Sequence, residues 1–290
     1  MTLFATISGF WFKERSTKNL VILFLWPCLL FTVINGLLGG YSPHFPNYLG
    51  KFMFKAGYAM WYLLALFLFS IVLRQLNKKT NATTILVIAL VFAMVIGVLP
   101  IPNRYFDIQR ISSLFPSFAF GFWLKKVACK NSVTLPSLDG VKQFLGGAVS
   151  YRALCIVALS FCILVNLTLY YLFSGLKGFD DFTAYYGLSF KAAGFKWFMY
   201  IIRIVACTCI ILLVPNKKFW FTKYGSRTMN VYLLHMLIIF PFTWGWLYSF
   251  RNEWYGMVAC FLLTPLLCTL FMSGPIDRFM KKILLTKIIK

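Results

Sequence analysis

The sequence has 290 residues, of which 60% are hydrophobic and only 12% are charged, with a mean hydropathy of +0.78. A soluble domain is about half apolar and about a quarter charged, so this composition excludes an ordinary soluble protein and indicates residues that face lipid. The net charge of +22 comes from Lys and Arg in short clusters between apolar runs. That arrangement is typical of the cytoplasmic loops of membrane proteins and argues against a nucleic-acid partner.

Nine apolar segments follow one another along the chain. Each is expected to be helical, because lipid leaves the backbone N–H and C=O groups no other partner. The predicted spans are 1–12, 19–39, 56–74, 83–100, 105–124, 151–175, 196–214, 228–249 and 256–274. We therefore predict an all-α fold: a polytopic integral membrane helix bundle with about nine transmembrane helices, forming one domain over residues 1–290.

The basic residues predict the orientation of these spans. Loops on one side, together with the tail, carry 19 Lys and Arg, whereas the alternate loops carry 8. Because cytoplasmic loops retain Lys and Arg, the first set is predicted to be cytoplasmic, where it would also meet anionic membrane lipids. With nine crossings and a cytoplasmic C-terminus, Met1 is predicted to lie outside. That external start resembles a second helix whose first helix is absent.

Arg203 is predicted to lie about 10 Å inside the span 196–214, at 1.5 Å per residue. An ionisable group at such a depth is a functional candidate by default. Lys196, Tyr200, Arg203 and Cys207 recur at helical spacing on one face. The alternative is that Arg203 extends outward to the interface or pairs with a backbone carbonyl.

The span 105–124 carries a polar and small stripe below a second arginine. Arg110, Ser113, Ser117 and Gly121 are three to four residues apart, and small residues alone usually indicate close helix packing. Arg110 is the stronger candidate, because with Arg104 nearby it can hold an anionic group or a polarised acyl oxygen.

His235 is predicted to lie about 10 Å inside the span 228–249, on a face shared with Thr228 and Tyr232. A histidine in this position can be a general base, and a hydrogen-bonded structural role is an equal alternative. The chain contains no HExxH, P-loop or GxSxG motif. Seven of the eight cysteines lie in apolar runs and none forms a CxxC pair, so buried free thiols are expected and no metal site.

Four ordered motifs carry a resemblance to a known family. They are TLFATISGFWFK at residues 2–13, WYLLALF at 61–67, the segment 110–126 with Phe115-Pro116-Ser117-Phe118, and GSRTMNVYLLH at 225–235. In order and spacing they resemble the acyltransferase-3 family of membrane O-acyltransferases, especially its fucose 4-O-acetylase-like branch.

The resemblance implies ten helices with cytoplasmic termini and transfer of an acyl group, commonly acetyl from acetyl-CoA, to a hydroxyl of a surface or exported glycan. It also implies a first helix with a catalytic His, which has no counterpart in this sequence. The cytoplasmic basic loops, Arg227 among them, would then bind the acyl-CoA phosphates. Arg110, with Arg104 and Arg203, would stabilise charge on the acyl oxygen, and His235 would orient the donor or brace its helix.

Two other hypotheses remain open. One is a transporter or flippase for a lipid-linked or anionic metabolite, which fits an arginine inside a helix bundle. The other is an inactive, truncated family member, in which loss of one helix exposes interhelical polar groups to lipid.

Overall fold

The computed structural model describes residues 1–39, 60–99, 108–130, 151–173, 190–213, 219–243 and 254–284. In these ranges the chain is all-helical and contains no strand, which confirms the predicted all-α class. The α-helices are α1 Thr2–Phe10, α2 Thr17–Leu20, α3 Trp26–Gly39, α4 Trp61–Asn77, α5 Ala82–Val98, α6 Ile108–Lys130, α7 Tyr151–Phe173, α8 Phe190–Leu213, α9 Thr228–Thr243, α10 Trp254–Phe271 and α11 Gly274–Ile283.

Two helical irregularities accompany them. A π-helical segment, Val21–Leu25, joins α2 to α3. It ends next to Pro27, which has no N–H to donate to the preceding turn, so the backbone is re-paired over a wider turn. The Trp26 N–H accordingly donates to the Val21 carbonyl. A 3₁₀-helix, Trp220–Arg227, precedes α9.

The chain divides into two compact units: residues 1–14 with 69–216, and residues 15–68 with 217–290. In the first unit α1 crosses α6 at two glycines. A Cβ on Gly9 would collide with the Phe118 carbonyl, and a Cβ on Gly121 would collide with the Thr6 carbonyl. The close crossing therefore depends on the absence of side chains, as in the small-residue interfaces of membrane helices.

Aromatic rings fill the space around this crossing. Phe12 makes edge contacts with Phe118 and Phe122, and Phe69 of α4 packs on Phe118 with ring centroids 5.3 Å apart. The Lys125 ammonium donates to the Phe12 carbonyl at 2.7 Å, so it satisfies a backbone acceptor just beyond the end of α1. These contacts hold the N-terminal helix against α6.

Helices α7 and α8 pack through a small cluster, while much of α7 stays uncovered. Cys162, Met199 and Ile202 form the buried contact. On the opposite side, Val157 is 66% exposed and Leu164 is 63% exposed. An apolar face of this size is too unfavourable in water to be an ordinary surface.

The second unit has its own core, in which both ends of its sequence meet. The buried residues are Cys28, Phe31, Met60, Leu63, Leu233, Met280 and Leu284. The Trp26 indole N–H donates to the Ile283 carbonyl at 3.3 Å, and the rings of Tyr62 and Tyr232 meet edge to face. The core thus joins α3, α4, α9 and α11.

Among the described residues, two helical segments are long and apolar enough to cross a membrane, Thr17–Ile34 and Arg152–Leu169, and shorter apolar helices cover parts of the other predicted spans. By length and composition these two segments could span a membrane. The count of about nine crossings stays a prediction.

Candidate functional site

Helix α6 begins with a polar turn that is buried in the first unit. Gln109 is 2% exposed, Arg110 is half-buried, and Ser112 is 1% exposed. The Ser112 hydroxyl donates to the Gln109 carbonyl and the Ser113 hydroxyl to the Arg110 carbonyl, at 2.9 and 2.8 Å. Both hydroxyls donate to backbone carbonyls three residues earlier in the same helix, which satisfies these buried groups locally.

A hydrogen bond from a neighbouring helix lies close to Pro116 of α6. Because Pro116 has no N–H, the Ser112 carbonyl loses its helical donor and the local ladder is weakened. One residue further on, the Ser113 carbonyl accepts a hydrogen bond from the Tyr200 hydroxyl of α8, at 3.1 Å. A side chain from another helix thus bonds backbone next to a proline, as is usual in membrane helices.

This hydrogen bond relates the two arginines that were singled out in the sequence. Arg110 lies three residues before Ser113, and Arg203 lies three residues after Tyr200, so each is about one helical turn from the bond. Both guanidinium groups are half-buried and each has an interaction partner. Arg203 also interacts electrostatically with Cys207, one turn further along α8.

The arrangement can bind or stabilise negative charge. Guanidinium groups form strong, charge-assisted hydrogen bonds with carboxylate, phosphate or a developing oxyanion. Their effect increases where helices exclude water. The Tyr200 hydroxyl bonds α8 to α6 about one turn from each arginine, counted along the helix that carries it.

Gln109 is a site residue that the sequence analysis did not single out. Its amide N–H donates to the Leu99 carbonyl at 3.0 Å, while its buried Oε1 receives no hydrogen bond among the described residues. An unsatisfied buried acceptor costs about 1–3 kcal/mol, so a water or a substrate hydroxyl would stabilise it. The signal in the sequence was a single polar residue between Ile108 and Arg110, which does not reveal its burial.

His235 lies in the second unit, half-buried on α9. Its Nδ1 is 3.0 Å from the Val231 carbonyl oxygen, and its ring lies against Tyr232 with centroids 5.8 Å apart. Since a carbonyl only accepts, Nδ1 carries the proton, and Nε2 of the neutral ring is left as a lone-pair acceptor. In that tautomer Nε2 is the ring nitrogen that can accept a proton.

Arg227, predicted to contact acyl-CoA, makes well-defined contacts within the second unit. Its Nη1 donates to the Met272 carbonyl at 2.7 Å, and its Nε lies 3.7 Å from Asp277 Oδ2. These contacts give Arg227 a structural role in joining the 3₁₀-helix to the end of α10. Its contact with a donor stays a prediction.

Asp277 is the centre of that polar cluster. Its carboxylate accepts from the Lys281 ammonium at 2.6 Å and from the Asn230 amide at 3.3 Å. The hydrogen bond from Lys281, with that from Asn230 and the nearby charge of Arg227, lowers the pKa of Asp277 against the opposing effect of burial. A carboxylate with this set of donors stays ionised at neutral pH.

Arg104 lies outside the described residues. In the described ranges no group of three or more His, Cys, Asp or Glu side chains is arranged to hold a metal ion. There, Cys28, Cys155, Cys162, Cys207, Cys209 and Cys268 are free thiols.

No protein-family model matches the chain, and no curated protein or solved structure is significantly similar to it.

Proposed function

We propose that the chain is a polytopic membrane protein that transfers an acyl group, in the first place acetyl, from acyl-CoA to a hydroxyl of a cell-surface or exported glycan. The membrane placement is supported by apolar side chains that the fold leaves uncovered on several helices, among them Phe161 and Leu167 of α7 and Phe261 and Leu266 of α10. In this proposal the chain crosses the membrane about nine times. Its basic loops then lie in the cytoplasm, where acyl-CoA is available.

The observation that carries the reaction is the placement of Arg110 and Arg203 about one turn from either end of the Tyr200–Ser113 hydrogen bond. In acyl transfer the acceptor hydroxyl attacks the thioester carbonyl and loses its proton, and the CoA thiolate leaves. Negative charge develops on the carbonyl oxygen as the bond forms. Two fixed guanidinium groups stabilise that charge more than they stabilise the neutral thioester.

Gln109 supports a hydroxyl acceptor at the same end of α6. Its buried Oε1 needs a donor, and a sugar hydroxyl supplies one. In this assignment Gln109 orients the acceptor, while Arg110 on the next residue binds the acyl oxygen. The motifs that resemble acyltransferase-3 proteins point to the same substrates.

The sequence makes His235 a candidate general base, and in the neutral ring Nδ1–H donation to Val231 leaves Nε2 able to accept a proton. The alternative role, bracing α9 or orienting the donor, uses the same hydrogen bond. The two roles predict different activities for His235→Asn, because the amide keeps a donor at the position of Nδ1 but has no acceptor nitrogen at the position of Nε2.

The test is an assay with labelled acetyl-CoA. It uses sealed membrane vesicles that contain the protein expressed from the full reading frame, and envelope glycans are recovered afterwards. We expect ester-linked label on glycan with wild type and strong loss with Arg110→Gln, whereas Arg152→Gln, an exposed arginine of α7, retains it. Absence of label from every glycan in the wild-type sample would remove the enzyme proposal. Uptake of a glycan or anionic metabolite without acyl transfer would establish the transporter instead.

A further inference from the structure

Helix α11 has two chemically different faces. Its inner face places Asp277 and Met280 in the second unit, at 7% and 1% exposure. Its outer face presents Arg278, Phe279 and Lys282, and the Phe279 ring is 61% exposed. A phenylalanine held in the open between two basic residues is unfavourable in water and suits a boundary between apolar and charged surroundings.

The 3₁₀-helix Trp220–Arg227 repeats this combination and is joined to the same part of the unit. It exposes Trp220 at 74% together with the side chain of Lys223. Arg227, at its end, is bonded to the Met272 carbonyl and lies 3.7 Å from Asp277 of α11. The polar cluster therefore holds two elements that each expose an aromatic ring beside a basic group.

Helix α10 leads directly into this region. Phe261, Leu262, Leu266 and Leu270 are exposed along it, from 81% at Phe261 to 52% at Leu270. The apolar surface ends at Ser273, and α11 begins at the next residue with its basic residues following. A change from apolar to basic residues such as the one between Leu270 and Arg278 is typical of the edge of a bilayer.

We propose that two elements of the second unit, the outer face of α11 with Arg278, Phe279 and Lys282 and the 3₁₀-helix with Trp220 and Lys223, bind the headgroup layer of an anionic phospholipid membrane. Phe279 and Trp220 enter the boundary between headgroups and acyl chains, and the three basic groups bind lipid phosphates. The inference rests on the membrane placement in the proposed function and not on acyl transfer itself.

Charge complementarity favours anionic lipid over other occupants. Lys281, on the same helix, is neutralised by Asp277, whereas Arg278 and Lys282 lie on the opposite side of the helix from that carboxylate. A second copy of the chain would bring like charges together on this face. A bilayer with phosphatidylglycerol supplies both the negative charge and an apolar layer for the two rings.

Native mass spectrometry of the full chain in detergent, titrated with phosphatidylglycerol or phosphatidylcholine, tests the proposal. We expect preferential retention of phosphatidylglycerol, and a loss of its apparent affinity of about fivefold for each basic side chain removed, or about 25-fold for Arg278→Gln with Lys282→Gln. Phe279→Ser is expected to weaken both lipids. The control is Arg152→Gln, an exposed arginine at the start of α7 that belongs to neither set of loop residues, which is expected to retain the wild-type preference.

Three results would overturn the proposal: equal retention of the two lipids, a wild-type affinity in the Arg278/Lys282 double variant, or displacement of phosphatidylglycerol by free coenzyme A. A stable dimer that disappears in the double variant would assign the face to a second copy. The titration contains no acyl donor, so its outcome is independent of the glycan-labelling assay and the two proposals fail separately.

Discussion

Gly9 and Gly121 lie on facing helices, and each is in contact with the backbone of the other's helix. Gly9 packs on Phe118 and Gly121 packs on Thr6. In the sequence, Ala5 precedes Gly9 by four residues and Ser117 precedes Gly121 by four, so both helices present small residues at the same spacing. The close crossing of α1 and α6 therefore depends on small residues in both helices.

Gly9→Ala and Gly121→Ala are each expected to destabilise the first unit by about 1–3 kcal/mol, because a methyl group has no space between the backbones. Thermal unfolding of the purified protein in detergent, followed by size-exclusion chromatography, measures the loss. Gly274→Ala is the control, since an added Cβ there meets no atom within 4 Å. Unchanged midpoints in both interface variants would show that α1 does not cross α6 at these glycines.

Tyr200→Phe removes one hydroxyl and with it the hydrogen bond to the Ser113 carbonyl of α6. We expect a stability loss of about 0.5–1.5 kcal/mol from the bond itself. A further fall in acyl-transfer rate is expected, because the helices that carry the two arginines lose this link. Tyr224→Phe, in the 3₁₀-helix, is the matched control. Wild-type kinetics in Tyr200→Phe would show that the hydrogen bond does not position the arginines.

His235→Asn separates the two roles of His235. An Asn amide places an N–H close to the position of Nδ1 and preserves donation to Val231, but it has no lone-pair nitrogen at the position of Nε2. We expect the variant to keep its thermal midpoint and to lose about 10²–10⁴-fold in acyl-transfer rate. Retained activity in a stable variant would leave His235 with the bracing role alone.

Because of Asp277, the stability of the folded protein is expected to decrease at acid pH. Its folded-state pKa is lowered, chiefly by the hydrogen bond from Lys281, whereas an unfolded carboxyl titrates near pH 4. The stabilisation is thus complete above about pH 4 and is lost as the pH falls through the folded-state pKa. Thermal midpoints measured from pH 7 down to pH 3 should decrease at the acid end.

Asp277→Asn is expected to remove this acid dependence and to lower stability at pH 7 by about 1–3 kcal/mol, since Arg227 and Lys281 lose their carboxylate. Lys281→Met should cost less than about 1 kcal/mol, because the Lys281 side chain is 56% exposed. A larger effect from Lys281 than from Asp277 would contradict the central position of the carboxylate.

The orientation of the chain can be checked by cysteine labelling in intact cells. Ser226→Cys, in the exposed part of the 3₁₀-helix, should react with an impermeant maleimide only after permeabilisation, because this segment is predicted to be cytoplasmic. Ser42→Cys, in a loop predicted to be external, should react without it. Labelling of Ser226→Cys in unbroken cells would reverse the predicted topology.

The positions of the helices could be predicted because each predicted span is a run of apolar residues bounded by polar ones. Span 83–100 corresponds to Ala82–Val98, and span 151–175 to Tyr151–Phe173. The expectation that Gly121 packs closely against another helix is confirmed, as is that of buried free thiols at Cys28, Cys155, Cys162, Cys207 and Cys209.

Helix α11 lies outside the predicted spans because those spans are apolar runs and this helix is amphipathic. Its start was nevertheless readable: Ser273 caps it, Pro275 occupies the first turn, Asp277 follows, and Lys281 and Lys282 lie in the last turn. The Tyr200–Ser113 bond was not predictable in the same way. It joins residues 87 positions apart, and periodicity within one helix carries no information about which neighbour it meets.

The hydrogen bond from Trp26 to Ile283 has a consequence for biogenesis. Its two residues are 257 positions apart, so the ribosome must add all of them before the bond can form. At about 5–20 residues per second this takes on the order of 13 to 50 s. Throughout that interval the indole N–H of Trp26 must donate to water, to lipid headgroups or to a chaperone. The early part of the second unit is therefore exposed to quality control until α11 has been synthesised.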